Sequence, residues 1–168
     1  MKITVVTTMR NEGPFVLEWL AYMRGIGVDQ FLVFTNDCED GTDVLLDKVA
    51  QMGWLTHVRQ DLAEGESPQW AAYKSAWRRA QVKAAEWILV CDVDEFPQID
   101  VGNGTLPDLI AHVGDCDAIP LEWRLFGNSN IVSFHNRPVT QQFVRCAPWG
   151  TEFPVASTFF KTLFKRSA

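Results

Sequence analysis

No pair of cysteines in this sequence is spaced as CxxC; Cys38, Cys91, Cys116 and Cys146 are scattered along 168 residues. Neither a zinc ribbon nor a disulfide framework is therefore indicated, and reduced thiols are the simple reading. Long runs of Lys or Arg are missing too, and the formal net charge is −6 with a pI near 5.0. That balance argues against nucleic-acid binding by phosphate neutralisation. No stretch approaches the roughly 20 apolar residues of a membrane span, and the first apolar run, in MKITVVTTMRNEG, is too short for a signal peptide. The expectation is a cytoplasmic protein without a transmembrane segment, with peripheral attachment at the inner face of a membrane left open. His57, His112 and His135 share no ligand spacing, so no histidine-based metal site is read from them. Internal repeats and low-complexity segments are also lacking.

What is present is ordinary globular material: 47% hydrophobic and 21% charged residues, enough for one domain with a sizeable core. KITVVTT, QFLVFTN and WLTHVRQ read as strands because they are β-branched and apolar. WILVC, at 87–91, is an apolar run of the kind a buried parallel strand shows. Between them, Phe15, Trp19, Leu20 and Met23 recur at helical spacing, and DCEDGT offers Asp40 or Thr42 as the cap of a helix reaching about Met52. A third helix is expected from about Gln69 to Ala85, with Trp70, Tyr73, Ala76, Trp77 and Ala80 on one side. Strand and helix alternation predicts right-handed crossovers and an α/β, mostly parallel, doubly wound sheet. Beyond Pro97 a short helix is expected at LPDLIAHV, followed by strands in DAIPLEWRLFG, TQQFVRC and STFFKTLFK that form a mixed or antiparallel extension.

Three polar clusters follow three of these strands: TTMRNE at 7–12, TNDCEDGT at 35–42 and DVDE at 92–95. In a parallel sheet all three exits lie on one edge, where open α/β sheets bind ligands. Asp92 and Asp94 are two apart, so in extended backbone they point to the same side. With no Lys or Arg nearby in sequence, such carboxylates invite a divalent cation.

In order and approximate spacing these clusters resemble glycosyltransferases of the GT-A fold, and among them the bacterial family 2-like enzymes. The resemblance covers about residues 3–145 and rests on RNE, NDCEDGT and DVDEF. It implies a GT-A, Rossmann-like mixed sheet flanked by helices, in a single domain over 1–168. Residues 1–97 would be the nucleotide-binding half and 98–168 an acceptor-side half, C-terminally short by the family's measure. The implied donor is a UDP- or GDP-linked sugar, and the acceptor an unspecified glycan, lipid or small molecule. Thr7, Arg10, Asn11 and Glu12 would border base and ribose, with Asn36 and Asp37 at the base. Asn36 stands where the family often has Asp. Asp92 would face the ribose or a metal water, and Asp94 would bind Mg²⁺ or Mn²⁺ directly, hard oxygens suiting either ion.

Sugar transfer builds negative charge on the leaving diphosphate, which a bound cation stabilises, while a carboxylate takes the acceptor proton. Glu122 and Glu152 are the candidates for that base, with Asp117 behind them. Trp123, Phe126 and Trp149 offer an apolar platform for a sugar ring, although late aromatics are more often core. Two other readings remain at this point. One is a non-catalytic nucleotide-sugar-binding domain; the other is a haloacid-dehalogenase-type phosphatase, which also sets Asp-x-Asp at a strand end but near the start of its chain.

Overall fold

The computed structural model describes residues 1–148, 150–151 and 159–168. Strands β1 (Ile3–Met9), β2 (Gln30–Thr35), β3 (Thr56–Arg59) and β4 (Trp87–Val90) carry the apolar runs of the first half. They alternate with α1 (Gly13–Gly25), α2 (Thr42–Gln51) and the short pair α3 (Pro68–Ala76) and α4 (Ala80–Lys83). Then follow α5 (Leu106–Val113), β5 (Ala118–Glu122), α6 (Val139–Gln142) and β6 (Phe160–Lys165).

The six strands form one mixed sheet in the order β3-β2-β1-β4-β6-β5, flanked by helices as a GT-A fold requires. Strands β1 to β4 are parallel, and β6 runs antiparallel to both β4 and β5. Two successive reversals make β5 parallel to β4, so its C-terminal end leaves at the same edge. The order of the parallel strands also turns around at β1, which has β2 on one side and β4 on the other. The crevice of an open α/β sheet lies at such a switch point, beyond the carboxyl ends of the strands.

Side-chain alternation along each strand sorts the core into two layers. Ile3, Val5, Met9, Phe31, Val33, Trp87 and Leu89 join Val16, Trp19 and Met23 of α1, Leu46 and Val49 of α2, and Leu106 and Ile110 of α5. The opposite positions Val6, Leu32, Phe34 and Ile88 pack on Ala72 and Ala76 of α3 and on Val82. Both faces of the central strands are thus covered, which is why their sequences are apolar almost throughout.

Two expectations are corrected. The helix over 69–85 is two helices, broken at Trp77–Arg79, and it begins at Pro68 with the Ser67 hydroxyl accepting from Trp70 N. Its buried residues are Ala72 and Ala76, with Tyr73 partly buried beside them, while Trp70 and Trp77 stay exposed, because small side chains bring the helix close to the sheet and indoles would hold it away. TQQFVRC is not a strand: its first three residues end helix α6, and of the rest only Cys146 bridges, to Phe126. The strands in DAIPLEWRLFG and STFFKTLFK do form the expected antiparallel extension, with β6 lying between β4 and β5.

Candidate functional site

The exits of β1 and β2 are tied together by short polar side chains. Asn11 takes a left-handed backbone (φ 58°), which Asn tolerates better than most residues, and its Oδ1 accepts from Glu39 N at 2.8 Å. Thr42 Oγ1 accepts from Glu12 N at 2.8 Å and donates to Asp40 Oδ1 at 2.6 Å. Asp40 Oδ2 accepts from Gly13 N at 3.2 Å. The Thr42 hydroxyl, followed by the amides of Thr42 and Gly13, holds the Asp40 carboxyl below its usual range. Asp40 therefore serves α2 from one residue outside its cap, Gly41, whose φ of 86° suits glycine.

The exit of β4 turns instead of staying extended. Glu95 N donates to Asp92 O at 3.2 Å, and Asp92 N donates to Glu95 Oε2 at 3.0 Å. Val93 is buried in the larger core layer while Asp94 is exposed, so the chain leaves β4 through a turn that sends Val93 inward and Asp94 to solvent. Helix α1 fixes this turn from below: Trp19 Nε1 donates to Glu95 O at 3.2 Å, and the Tyr22 hydroxyl to Pro97 O at 2.9 Å.

An unforeseen cation also meets this turn. Lys161, on β6, places Nζ 2.7 Å from Asp92 Oδ2 and 3.3 Å from Glu95 Oε2. Burial opposes its charge, but the hydrogen bond to Asp92 and the nearness of Glu95 hold its pKa above the ordinary value. Glu95 is itself pushed up, chiefly by burial. The Tyr73 hydroxyl is raised too, by burial and then by Asp92, which puts α3 at the same place.

Electrostatics bring the three exits together. The half-buried Glu12 carboxyl is raised by burial, then by Asp94, Asp40 and Asp92. Acids following β1, β2 and β4 thus share one field at one edge. Lys161 compensates Asp92 and Glu95; among the described residues Asp94 and Glu12 form no ion pair. Among the described residues no three His, Cys, Asp or Glu side chains are arranged as a ready metal cage. Two carboxylates with free oxygens do suit Mg²⁺ or Mn²⁺, which are commonly held by one or two protein carboxylates plus substrate phosphates and water. Asp92, committed to Lys161, is the less available of the two Asp ligands expected from the sequence.

The remaining expected residues are placed as follows. Arg10, Asn11 and Asp37 are exposed at the rim. Asn36 is nearly buried and donates through Nδ2 to Asp37 Oδ2 at 3.0 Å. Thr7 is in the core, 1% exposed, its hydroxyl without a partner among the described residues. Glu122 is exposed at the carboxyl edge, at the end of β5. Asp117 precedes β5, so it sits at the opposite edge, where it faces Lys165. Glu152 and Trp149 lie outside the described residues. Phe126 is 55% exposed, and Trp123 packs on Phe159 with ring centroids 5.6 Å apart. His57 is structural: Nε2 meets Thr35 Oγ1 at 2.8 Å and Nδ1 meets Asp47 Oδ1 at 2.6 Å. Lys161 and Tyr73 were missed by the sequence reading because neither is near DVDE in the chain. For Lys161 only a strand pairing reveals the proximity.

Comparison with known proteins places this geometry. The sequence profile of glycosyltransferase family 92 matches residues 4–153. A glycosyltransferase family 92 protein of Oryza sativa subsp. japonica is 30% identical over 106 residues, covering 63% of this chain and 18% of the rice protein. One of Ricinus communis is 24% identical over 149 residues, covering 83% of this chain and 25% of that one. The chain thus spans a minor part of these relatives. Among solved structures, S. aureus TarS 1–349 in complex with UDP is similar at 20% identity and a TM-score of 0.48, over 67% of this chain and 32% of that one. 4-Diphosphocytidyl-2C-methyl-D-erythritol synthase is similar at 15% identity and a TM-score of 0.44, over 99% and 76%. The relatives are plant proteins, where the motif trio resembles bacterial family 2-like enzymes. The profile spans all three strand exits and the sheet from β1 to β5: the chain belongs to glycosyltransferase family 92.

Proposed function

We propose that this edge binds a nucleotide-diphosphate sugar, UDP- or GDP-linked, and transfers its sugar to an acceptor hydroxyl with the help of Mg²⁺ or Mn²⁺. The observation that carries the proposal is the placement of Glu12, Asp40, Asp92 and Asp94 at the adjoining exits of the parallel strands β1, β2 and β4, with the Glu12 carboxyl raised by burial first and then by the other three. Uncompensated carboxylates at the switch point of a sheet are costly unless a cation completes them. Family membership speaks against the phosphatase reading.

Asp94 and Glu12 would hold the ion, and Asp92, steadied by Lys161, would face the ribose. When bound, the ion supplies Lewis-acid stabilisation of the charge on the departing diphosphate, an effect of several kcal/mol. The exposed loops at Arg10, Asn11 and Asp37 border the space for base and ribose, and Asn36 lies behind them with an amide that both donates and accepts. Glu122 shares the edge with these groups and is the described candidate for taking the acceptor proton; Glu152 stays a candidate on sequence grounds. Residues 1–97 then supply most of the donor side of one domain, and 98–168 its acceptor side together with β6, which returns to the donor edge.

Calorimetry with UDP- and GDP-sugars, with and without Mn²⁺, tests the reading. Asp94→Asn should remove the metal-dependent part of the affinity, whereas Glu122→Gln should leave donor binding intact and lower transfer roughly a hundredfold or more, as loss of a general base does. Unchanged metal-dependent affinity in Asp94→Asn would exclude the role given to Asp94.

A further inference from the structure

We infer that Lys161 is a donor-binding residue: its ammonium is a fixed positive charge for the diphosphate, set beside the metal-binding acids by a strand from the far end of the chain. The inference rests on the nucleotide-sugar reading above and deepens it.

Placement comes from the sheet. Because β6 is antiparallel to β4, its first residues lie at the carboxyl edge, with Glu122 paired to Phe160 and Leu121 to Lys161. The Lys161 side chain is 18% exposed, so it is neither sealed in the core nor free to wander. It is braced as well: the ammonium lies 5.5 Å from the centroid of the Trp123 ring, and Trp123 in turn packs on Phe159. A lysine ordinarily loses considerable side-chain entropy when it grips a ligand, and a braced one has lost much of it already.

Charge supplies the reason. Glu12, Asp40, Asp92, Asp94 and Glu95 put five carboxylates around this edge, and a nucleoside diphosphate brings further negative charge. One divalent ion shared by Asp94 and Glu12 leaves the combination anionic. Lys161 has three N–H donors; Asp92 and Glu95 occupy two of them. The third is free to donate to a phosphate oxygen placed next to Asp92. A bare ion pair holding β6 to β4 would involve the same two carboxylates, but it would act equally on every ligand of the site. A phosphate contact acts on diphosphates and not on nucleosides, and that difference is measurable.

The test uses whichever of UDP and GDP the wild-type chain binds, together with the matching nucleoside, at constant Mn²⁺. Lys161→Met should weaken diphosphate binding roughly tenfold to a hundredfold, the range of a lost charged hydrogen bond, and weaken nucleoside binding far less, through Asp92 alone; Lys161→Arg should recover most of the loss. In the wild-type chain, acylation of the Lys161 amine read by mass spectrometry should slow with the diphosphate and not with the nucleoside, which keeps the test open should Lys161→Met fail to fold. Equal losses for both ligands, no loss, or no selective protection would each overturn the role of Lys161 and leave the metal-dependent reading standing. A wild-type chain that binds diphosphate and nucleoside alike would overturn that reading and this inference together.

Discussion

At the scale of single residues, most polar side chains of the first half were identifiable by type, but their partners were not. Asp47 shows why. Nothing in LLDKVA marks its carboxylate, yet it is held by Arg59, then by His57, and its pKa is lowered below the ordinary 3.8 by those bonds in that order. A depressed carboxyl contributes stability that is present above 3.8 and lost as pH falls through the folded-state value. The side chain is 43% exposed, so solvent screening keeps the contribution small. Asp47→Asn should cost about 0.5–1 kcal/mol at pH 7, with the gap to wild type closing below pH 3.8; urea denaturation across that range reads it, and a gap independent of pH would contradict the assignment. Asp92 teaches the same lesson at the site. Its neighbours in sequence predicted an unpaired acid, and a lysine 69 positions away pairs with it.

At the scale of elements, caps and breaks were better announced than packing. The helix over LPDLIAHV is where its capping residue puts it, with the Thr105 hydroxyl accepting from Asp108 N. Its docking to α1 could not be read from spacing. Gly27, just after α1, has a φ of 97°, and a Cβ there would stand 2.9 Å from Pro107 Cδ, while Leu106 N donates to Ile26 O at 2.8 Å. Strained backbone and steric contact therefore coincide. Gly27→Ala should destabilise by about 1–3 kcal/mol, seen as a lowered midpoint in thermal or urea unfolding; an unaffected midpoint would mean that the junction relaxes freely. The face chosen by α3 is a second example: periodicity groups Ala76 with Trp70, Tyr73 and Trp77, and the sheet took Ala76 together with Ala72 while both indoles stay exposed, since small side chains allow close approach.

At the scale of the whole molecule, β6 decides more than its length implies. It covers the β4 edge, carries β5, and delivers Lys161 to Asp92. Leu163 is its buried anchor, 0% exposed and paired with both Leu89 and Ile119. Leu163→Ala should cost about 2–5 kcal/mol, the range for truncating a buried leucine, and should weaken diphosphate binding as Lys161 loses its register. Calorimetric unfolding and nucleotide titration of the same variant check both, and full affinity in a clearly destabilised protein would separate β6 from the site. Among the described residues no helix is long and apolar enough to cross a membrane.

The sequence by itself determined the strand and helix alternation, the apolar filling of both faces of β1, β2 and β4, and the gathering of polar clusters where β1, β2 and β4 end. These follow from local propensity and periodicity, which act over a few residues. Only the tertiary structure decided that the DVDE segment turns, that Thr7 lies in the core and Asp117 at the wrong edge, and that Lys161 shares charge with Asp92 and Glu95. Each of those depends on which strand lies beside which, and strand order is chosen by long-range pairing and burial that no short stretch of the chain encodes.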